Sequence, residues 1–152
     1  MKKLFIPVIC AAALCACASV KGIQESVNCK YTLAGVEVTD AGFTNIKMNV
    51  GMAVTNNSKT NTASMNRFEG RLYINDVDVS AISFGAYEVL PSSTSVVKTT
   101  LNIPIANIGK NIAGLVAANS MSLNYKIVGK IYFDTPLGQI PFPIVVEPQI
   151  KK

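Results

Sequence analysis

Residues 44–55 read TNIKMNVGMAVT, and their alternation is strict. Ile46, Met48, Val50, Met52 and Val54 fall on one side; Asn45, Lys47, Asn49, Gly51, Ala53 and Thr55 fall on the other. Successive side chains of a strand point to opposite faces, so this pattern predicts a β-strand with one face buried in a core and the other wet.

The same period extends outward. YTLAGVEVT (residues 31–39) alternates with a break. Tyr31 and Leu33 share one parity, Val36 and Val38 take the other, and Ala34-Gly35 is where a bulge can reset the register. NRFEGRLYINDVDVS (66–80) predicts a hairpin: Phe68, Leu72 and Ile74 face one way, and Val77, Val79 and Ala81 follow the turn. That turn is Asn75-Asp76, residue types that accept the positive φ of a two-residue reversal. Arg67, Glu69 and Arg71 line its solvated outer face. The closest carboxylates, Asp76 and Asp78, lie on this hairpin. Pro91-Ser92-Ser93-Thr94-Ser95 has no base nearby and reads as a turn.

VVKTTLNIPI (96–105) puts Val97, Thr99, Leu101, Ile103 and Ile105 on one face, with Pro104 marking a strand end or edge. ANIGKNIAGLVAANS (106–120) breaks the period. Ile108, Ile112, Leu115 and Val116 are spaced for a short helix, weakened by Gly109 and Gly114. Two strands close the chain. Leu123, Tyr125, Ile127, Ile131 and Phe133 share a face, then Ile140, Phe142, Ile144 and Val146. Between them Asp134, Thr135, Pro136 and Gly138 have the chemistry of a turn rather than of an active site.

About seven strands and one short helix predict an all-β fold, an antiparallel β-sandwich of immunoglobulin- or fibronectin III-like outline, over residues 29–150. Its expected core is Ile46, Met48, Val50, Val54, Leu72, Leu101, Ile127, Ile131, Phe142 and Ile144. The Cys pair around a Trp that marks antibody domains is missing, since the chain has no Trp.

The closing stretch YKIVGKIYFDTPLGQIPFP (125–143) resembles the end of the late embryogenesis abundant type 2 family, also called the water stress and hypersensitive response (WHy) domain. The residues that carry the likeness are Tyr125, Ile127, Gly129, Pro136, Gly138 and Pro141. Upstream, IKMNVGMAVTNNS (46–58) resembles the family's long strand and Asn-containing turn, with Asn56-Asn57-Ser58 where the family usually has Asn-Pro. The Asn75-Asp76 hairpin also falls where the family places one. The resemblance spans roughly residues 29–148. It implies a single β-sandwich with a helix, no catalytic residues, and a role in stress or desiccation tolerance or as an interaction module. It names no ligand.

Composition agrees on the lack of chemistry. The chain has no histidine, which removes Ser-His-Asp and Cys-His catalysis and the commonest zinc ligand. Its nine acidic residues are dispersed, with no loop dense enough in oxygens for calcium. Neither an enzyme, nor a metal, nor a cofactor is expected.

The N-terminus decides where the protein lives. Lys2 and Lys3 precede an apolar run from Leu4 to Ala16, broken only by Pro7. At about 1.5 Å per residue this run is short of the roughly 30 Å hydrocarbon core, and it has the anatomy of a signal peptide over residues 1–16. Two cleavage readings compete. Ala16-Cys17-Ala18 fits a small-x-small site that leaves Ser19 first. Leu14-Cys15-Ala16-Cys17 resembles the bacterial lipobox, which would make Cys17 the lipidated N-terminus. Cys15 is the poorer lipid acceptor, because Ala12 and Leu14 sit where an aliphatic and a small residue belong.

In the lipobox reading Cys10 and Cys15 leave with the signal, Cys17 becomes a thioether, and Cys29 is the last free thiol, a small hydrophobe at the edge of the first strand. Residues 18–28 become a polar tether of roughly 18 Å reach. Of 14 Lys and Arg, loss of Lys2 and Lys3 leaves 12 against 9 acidic residues, a net +3 whose basic residues are spread singly apart from the Lys151-Lys152 pair. No nucleic-acid partner is expected. The partner expected is a membrane, reached through the lipid anchor, and the location is the bacterial envelope, at the outer membrane facing the periplasm. A module holding an apolar or lipid ligand between the sheets is the alternative.

Overall fold

The computed structural model describes residues 23–118 and 123–148. Residues 23–28 are helical (α1). Then come β1 (Lys30–Ala41), β2 (Asn45–Thr55), β3 (Ala63–Met65), β4 (Arg67–Ile74), β5 (Val77–Phe84), β6 (Tyr87–Val89), β7 (Thr94–Pro104), α2 (Ile105–Ala117), β8 (Tyr125–Thr135) and β9 (Gly138–Pro148). Seven strands form one sheet in the order β5-β4-β8-β9-β1-β2-β7, and β3 and β6 pair as a small ribbon.

The all-β expectation holds. The seven strands form one curled sheet, nearly closed as a barrel, whose end strands β5 and β7 touch without pairing. It divides into β5-β4-β8-β9 and β1-β2-β7. These halves are joined by a narrow parallel seam, Thr32↔Glu147 and Leu33↔Pro148. Parallel pairing of so few residues is weak in hydrogen bonds, so the halves are held mainly by the core they share.

β2 is the spine of one half. It pairs along its whole length with β7, from Asn45↔Pro104 to Thr55↔Thr94. Ile46, Met48, Val50, Met52 and Val54 are each at most 1% exposed. Burial of such a side chain contributes about 1.5–3 kcal/mol. β1 follows β2 with a register shift between Leu33 and Gly35, where the sequence breaks parity, and a second between Val38 and Asp40.

In the other half, β4 lies between β5 and β8. Gly70 and Gly129 face each other across β4 and β8. A Cβ on Gly129 would lie 2.5 Å from Cζ of Phe68, and one on Gly70 would lie 2.6 Å from the Val128 carbonyl oxygen and 2.9 Å from the same Cζ. The Phe68 ring therefore occupies the groove that two missing side chains leave. It is fully buried and stands 5.7 Å, centroid to centroid, from the tilted ring of Phe84.

The Asn75-Asp76 turn forms as read, with φ of 50° and 64°. Beyond it the expected face slips. β5 carries an irregularity at Val79, because Leu72 pairs with Ser80 while Tyr73 pairs with Asp78. The slip turns Ala81 outward and brings Ile82 and Phe84 into the core. In α2, Ile108, Ala113 and Val116 are buried while Leu115 is 41% exposed. Gly109, at φ 73° and ψ 152°, kinks the helix and rotates the faces of its two pieces. Phe142 and Ile144, expected in the core, are only partly buried, and Ile140 is half exposed. β9 runs past the edge of the core, and burial is complete only at Val146. The tether expected over residues 18–28 is packed toward its end, where α1 buries Ser26.

Gly129→Ala should destabilise by about 1–3 kcal/mol or more, since the new methyl must displace a fully buried ring or push β4 and β8 apart. Gly114→Ala is the contrasting variant: a Cβ there meets nothing within 4 Å. Urea titration should show a large drop for the first and little change for the second.

Candidate functional site

Cys17, the expected lipid acceptor, lies outside the described residues. The described chain begins beside a connected polar cluster. Tyr87 donates its hydroxyl to Tyr31 at 2.9 Å, Tyr31 donates to the Ser26 carbonyl at 2.6 Å, and Ser26 Oγ donates to the Ser64 carbonyl at 2.5 Å. Asn61 Nδ2 adds a bond to Glu25 Oε1 at 2.9 Å. These bonds bind α1 across the β3–β6 ribbon. Cys29 sits beside them, buried and free.

Next to this cluster is Asn56, 1% exposed. Its Nδ2 donates to the carbonyls of Asn61 (2.8 Å) and Val89 (3.0 Å), and its Oδ1 accepts from the Ser58 amide (2.9 Å). Its own amide donates to Ser93 O. One side chain thus ties the end of β2 to β6 and to the loop between β2 and β3. The sequence marks this asparagine only as a turn residue. Its burial follows from β3 and β6, three-residue strands that no period of two can reveal.

None of these groups is prepared for chemistry. Burial, with the Glu25 carboxylate adding to it, raises the Cys29 thiol to about 11, so it is not a thiolate near neutral pH. Burial also holds the Tyr31 and Tyr87 phenols above the ordinary tyrosine range. At Tyr31 the bond from Tyr87 acts the other way; at Tyr87 the neighbouring Tyr31 adds to the rise. Asp76 and Asp78, the nearest pair in sequence, are divided: Asp76 accepts from Lys126 Nζ at 2.9 Å, and Asp78 pairs with Arg71 at 2.9 Å. Among the described residues no three Cys, Asp or Glu side chains come together to hold a metal ion.

The 134–138 turn is built as its residues suggest. Thr135 Oγ1 donates to the Gly138 carbonyl at 2.6 Å and accepts from the Leu137 amide at 3.3 Å. Gly138 has φ 115°, and Asp134 accepts from Gln139 Nε2 at 2.8 Å. Of the 91–95 run, residues 91–93 make the turn, with Ser92 at φ 53° and Ser93 Oγ bonded to Leu90 O, while Thr94 and Ser95 already belong to β7.

No family model matches the chain, and no curated protein matches it. Among solved structures it is similar to the late embryogenesis abundant (LEA) protein At2g46140.1, at 14% identity over 93% of this chain and 85% of that one, TM-score 0.49. It is also similar to AT1g01470 from Arabidopsis thaliana, at 14% identity over 80% and 83%, TM-score 0.49. A protein from Archaeoglobus fulgidus aligns at 12% identity over 75% and 92%, TM-score 0.45. TM-scores below 0.5 leave these as likenesses of outline.

Asn56→Ala should cost about 1–3 kcal/mol by leaving buried carbonyls and an amide unpartnered. Asn56→Asp should cost more, because a carboxylate cannot donate to the two carbonyls that the amide serves. Chemical denaturation of the two variants gives the order directly.

The raised thiol and phenols also set a pH dependence. Each has a folded pKa above its unfolded value, so each favours the folded state while it stays protonated. Stability should hold up to about pH 8.5, the unfolded thiol's range, then fall toward pH 11, with the tyrosines adding their share above about pH 10. Melting temperature against pH measures this, and Cys29→Ala should remove the earlier stage of the decline alone. A curve flat to pH 11 contradicts the assignment.

Proposed function

We propose that the chain is a membrane-anchored, non-enzymatic lipoprotein of the bacterial envelope, held at the outer membrane facing the periplasm and carrying a late embryogenesis abundant type 2-like domain. Its role is structural, protective under stress or desiccation, or that of a protein-interaction module. The observation that carries the reading is where the polar and apolar groups go. Phe68, Phe133, Met48, Met52 and Leu72 are buried inside the sheet, and the buried amide of Asn56 is spent on backbone groups. A scaffold of this kind presents a surface; it does not prepare a reacting atom.

Two lines support the finer features. The leader over residues 1–16 and Leu14-Cys15-Ala16-Cys17 support acylation at Cys17. The sequence resemblance to the WHy family supports the protective role and a sandwich-like reading of the two half-sheets. An apolar ligand between the sheets is the weaker reading, because large side chains already take up that interior.

Acylation at Cys17 predicts a membrane-bound product whose intact mass carries the lipid and which incorporates labelled palmitate. More than one acyl chain makes attachment effectively stable, at about 0.8 kcal/mol per buried methylene. Cys17→Ser should release the domain. A soluble wild-type form beginning at Ser19 would refute the anchor.

A further inference from the structure

We propose that the tip of the β8–β9 hairpin is a membrane-contacting surface, entering the lipid interface at the end of the domain where the chain leaves for its anchor. The proposal rests on the lipidated Cys17 read above.

The first observation is a gradient along β9. Its inward-facing residues run from Val146, fully buried, through the partly buried Ile144 and Phe142, to Ile140 at 50% exposure. Leu137 at the turn is 100% exposed, and Pro136 and Pro141 beside it are apolar as well. The apolar face continues toward the turn and grows steadily more exposed.

The second observation is position. β9 meets β1 only at Thr32↔Glu147 and Leu33↔Pro148 and runs parallel to it, so the β8–β9 turn lies far toward the N-terminal end of β1. The β1–β2 turn, with the fully exposed Phe43, lies at the opposite end. Hydrogen bonds tie α1 to the hairpin. Ser26 of α1 bonds Ser64 of β3, the Asn66 amide bonds the Tyr132 carbonyl, and the Asp134 amide bonds Asn66 Oδ1. Cys17 stands six residues before Ile23. Six residues fully extended reach roughly 20 Å. A lipid at Cys17 therefore keeps this end of the domain at the bilayer.

The third observation is the chemistry of the turn. Leaving water costs free energy for every unpaired backbone group. Here Thr135 Oγ1 serves both the Leu137 amide and the Gly138 carbonyl, and Pro136 has no N–H. The two side chains at the apex of the turn, Pro136 and Leu137, are exposed and apolar. Asp134, bonded to Gln139, limits the depth to the interface.

The test uses the full-length chain, purified from membranes and reconstituted into phosphatidylcholine vesicles. An environment-sensitive fluorophore is placed at Leu137→Cys, or at Phe43→Cys for comparison; both positions are fully exposed, and Cys29 is buried. Spin-labelled lipid should quench the label at 137 severalfold more than the label at 43. Equal quenching at the two, stronger quenching at 43, or none at either overturns the proposal. Intact mass of the same sample reads acylation. An unacylated product overturns the anchor and this inference with it, whereas an acylated protein with an unquenched label at 137 overturns this inference alone.

Discussion

The Phe68 ring lying over Gly70 and Gly129 is the contact on which the rest of the structure leans. Two glycines opposite each other leave a gap in a sheet, and glycine in a strand costs stability unless something fills its place. The ring does so, and by filling it fixes β4 against β8 in one register. With β4 fixed, Leu72 lies opposite Ile127 and Phe68 opposite Ile131 in the shared core, and Phe84 of β5 closes on Phe68 from the other side. The glycine of the Tyr-x-Ile-x-Gly pattern is there for space. No catalytic or ligand-binding reason is needed.

At one end of the molecule the same logic is polar. Asn56, Tyr31, Tyr87 and Ser26 form bonds that link α1, the end of β2, β3 and β6. These groups would be costly if left unpaired, and paired they hold loops that the narrow β1–β9 seam could not. The fold thus spends its special residues on holding itself together, and the surface is left for whatever the domain meets.

What could be read from the sequence follows from what a period can carry. The alternation in residues 44–55 gave the core-facing side of β2, though Gly51 on the other side is covered as well, and the parity break at Ala34-Gly35 marked a true register shift. Asn75-Asp76 was legible because few residue types accept positive φ. β3 and β6 were not legible, since three residues make no pattern. The slip at Val79 was hidden because Val77, Val79 and Ala81 look like an unbroken face, while pairing with β4 decides otherwise. Phe142 and Ile144 misled because alternation tells which face a residue is on, and says nothing about whether the core extends far enough to cover it. The packing of Ser26 rests on a partner, Ser64, 38 residues away. Cys17 rests on a leader motif alone and gains nothing from the fold.

Native-state hydrogen exchange tests the central claim most directly. If the Phe68–glycine contact anchors the sheet, amides of residues 68–72 and 127–131 should exchange only through global unfolding, with opening free energies equal to the total stability. Amides at the β1–β9 seam should open at lower cost. Exchange at residues 68–72 faster than at Thr32 or Leu33 would contradict the account, because the glycine pair would then be a point where the sheet opens first.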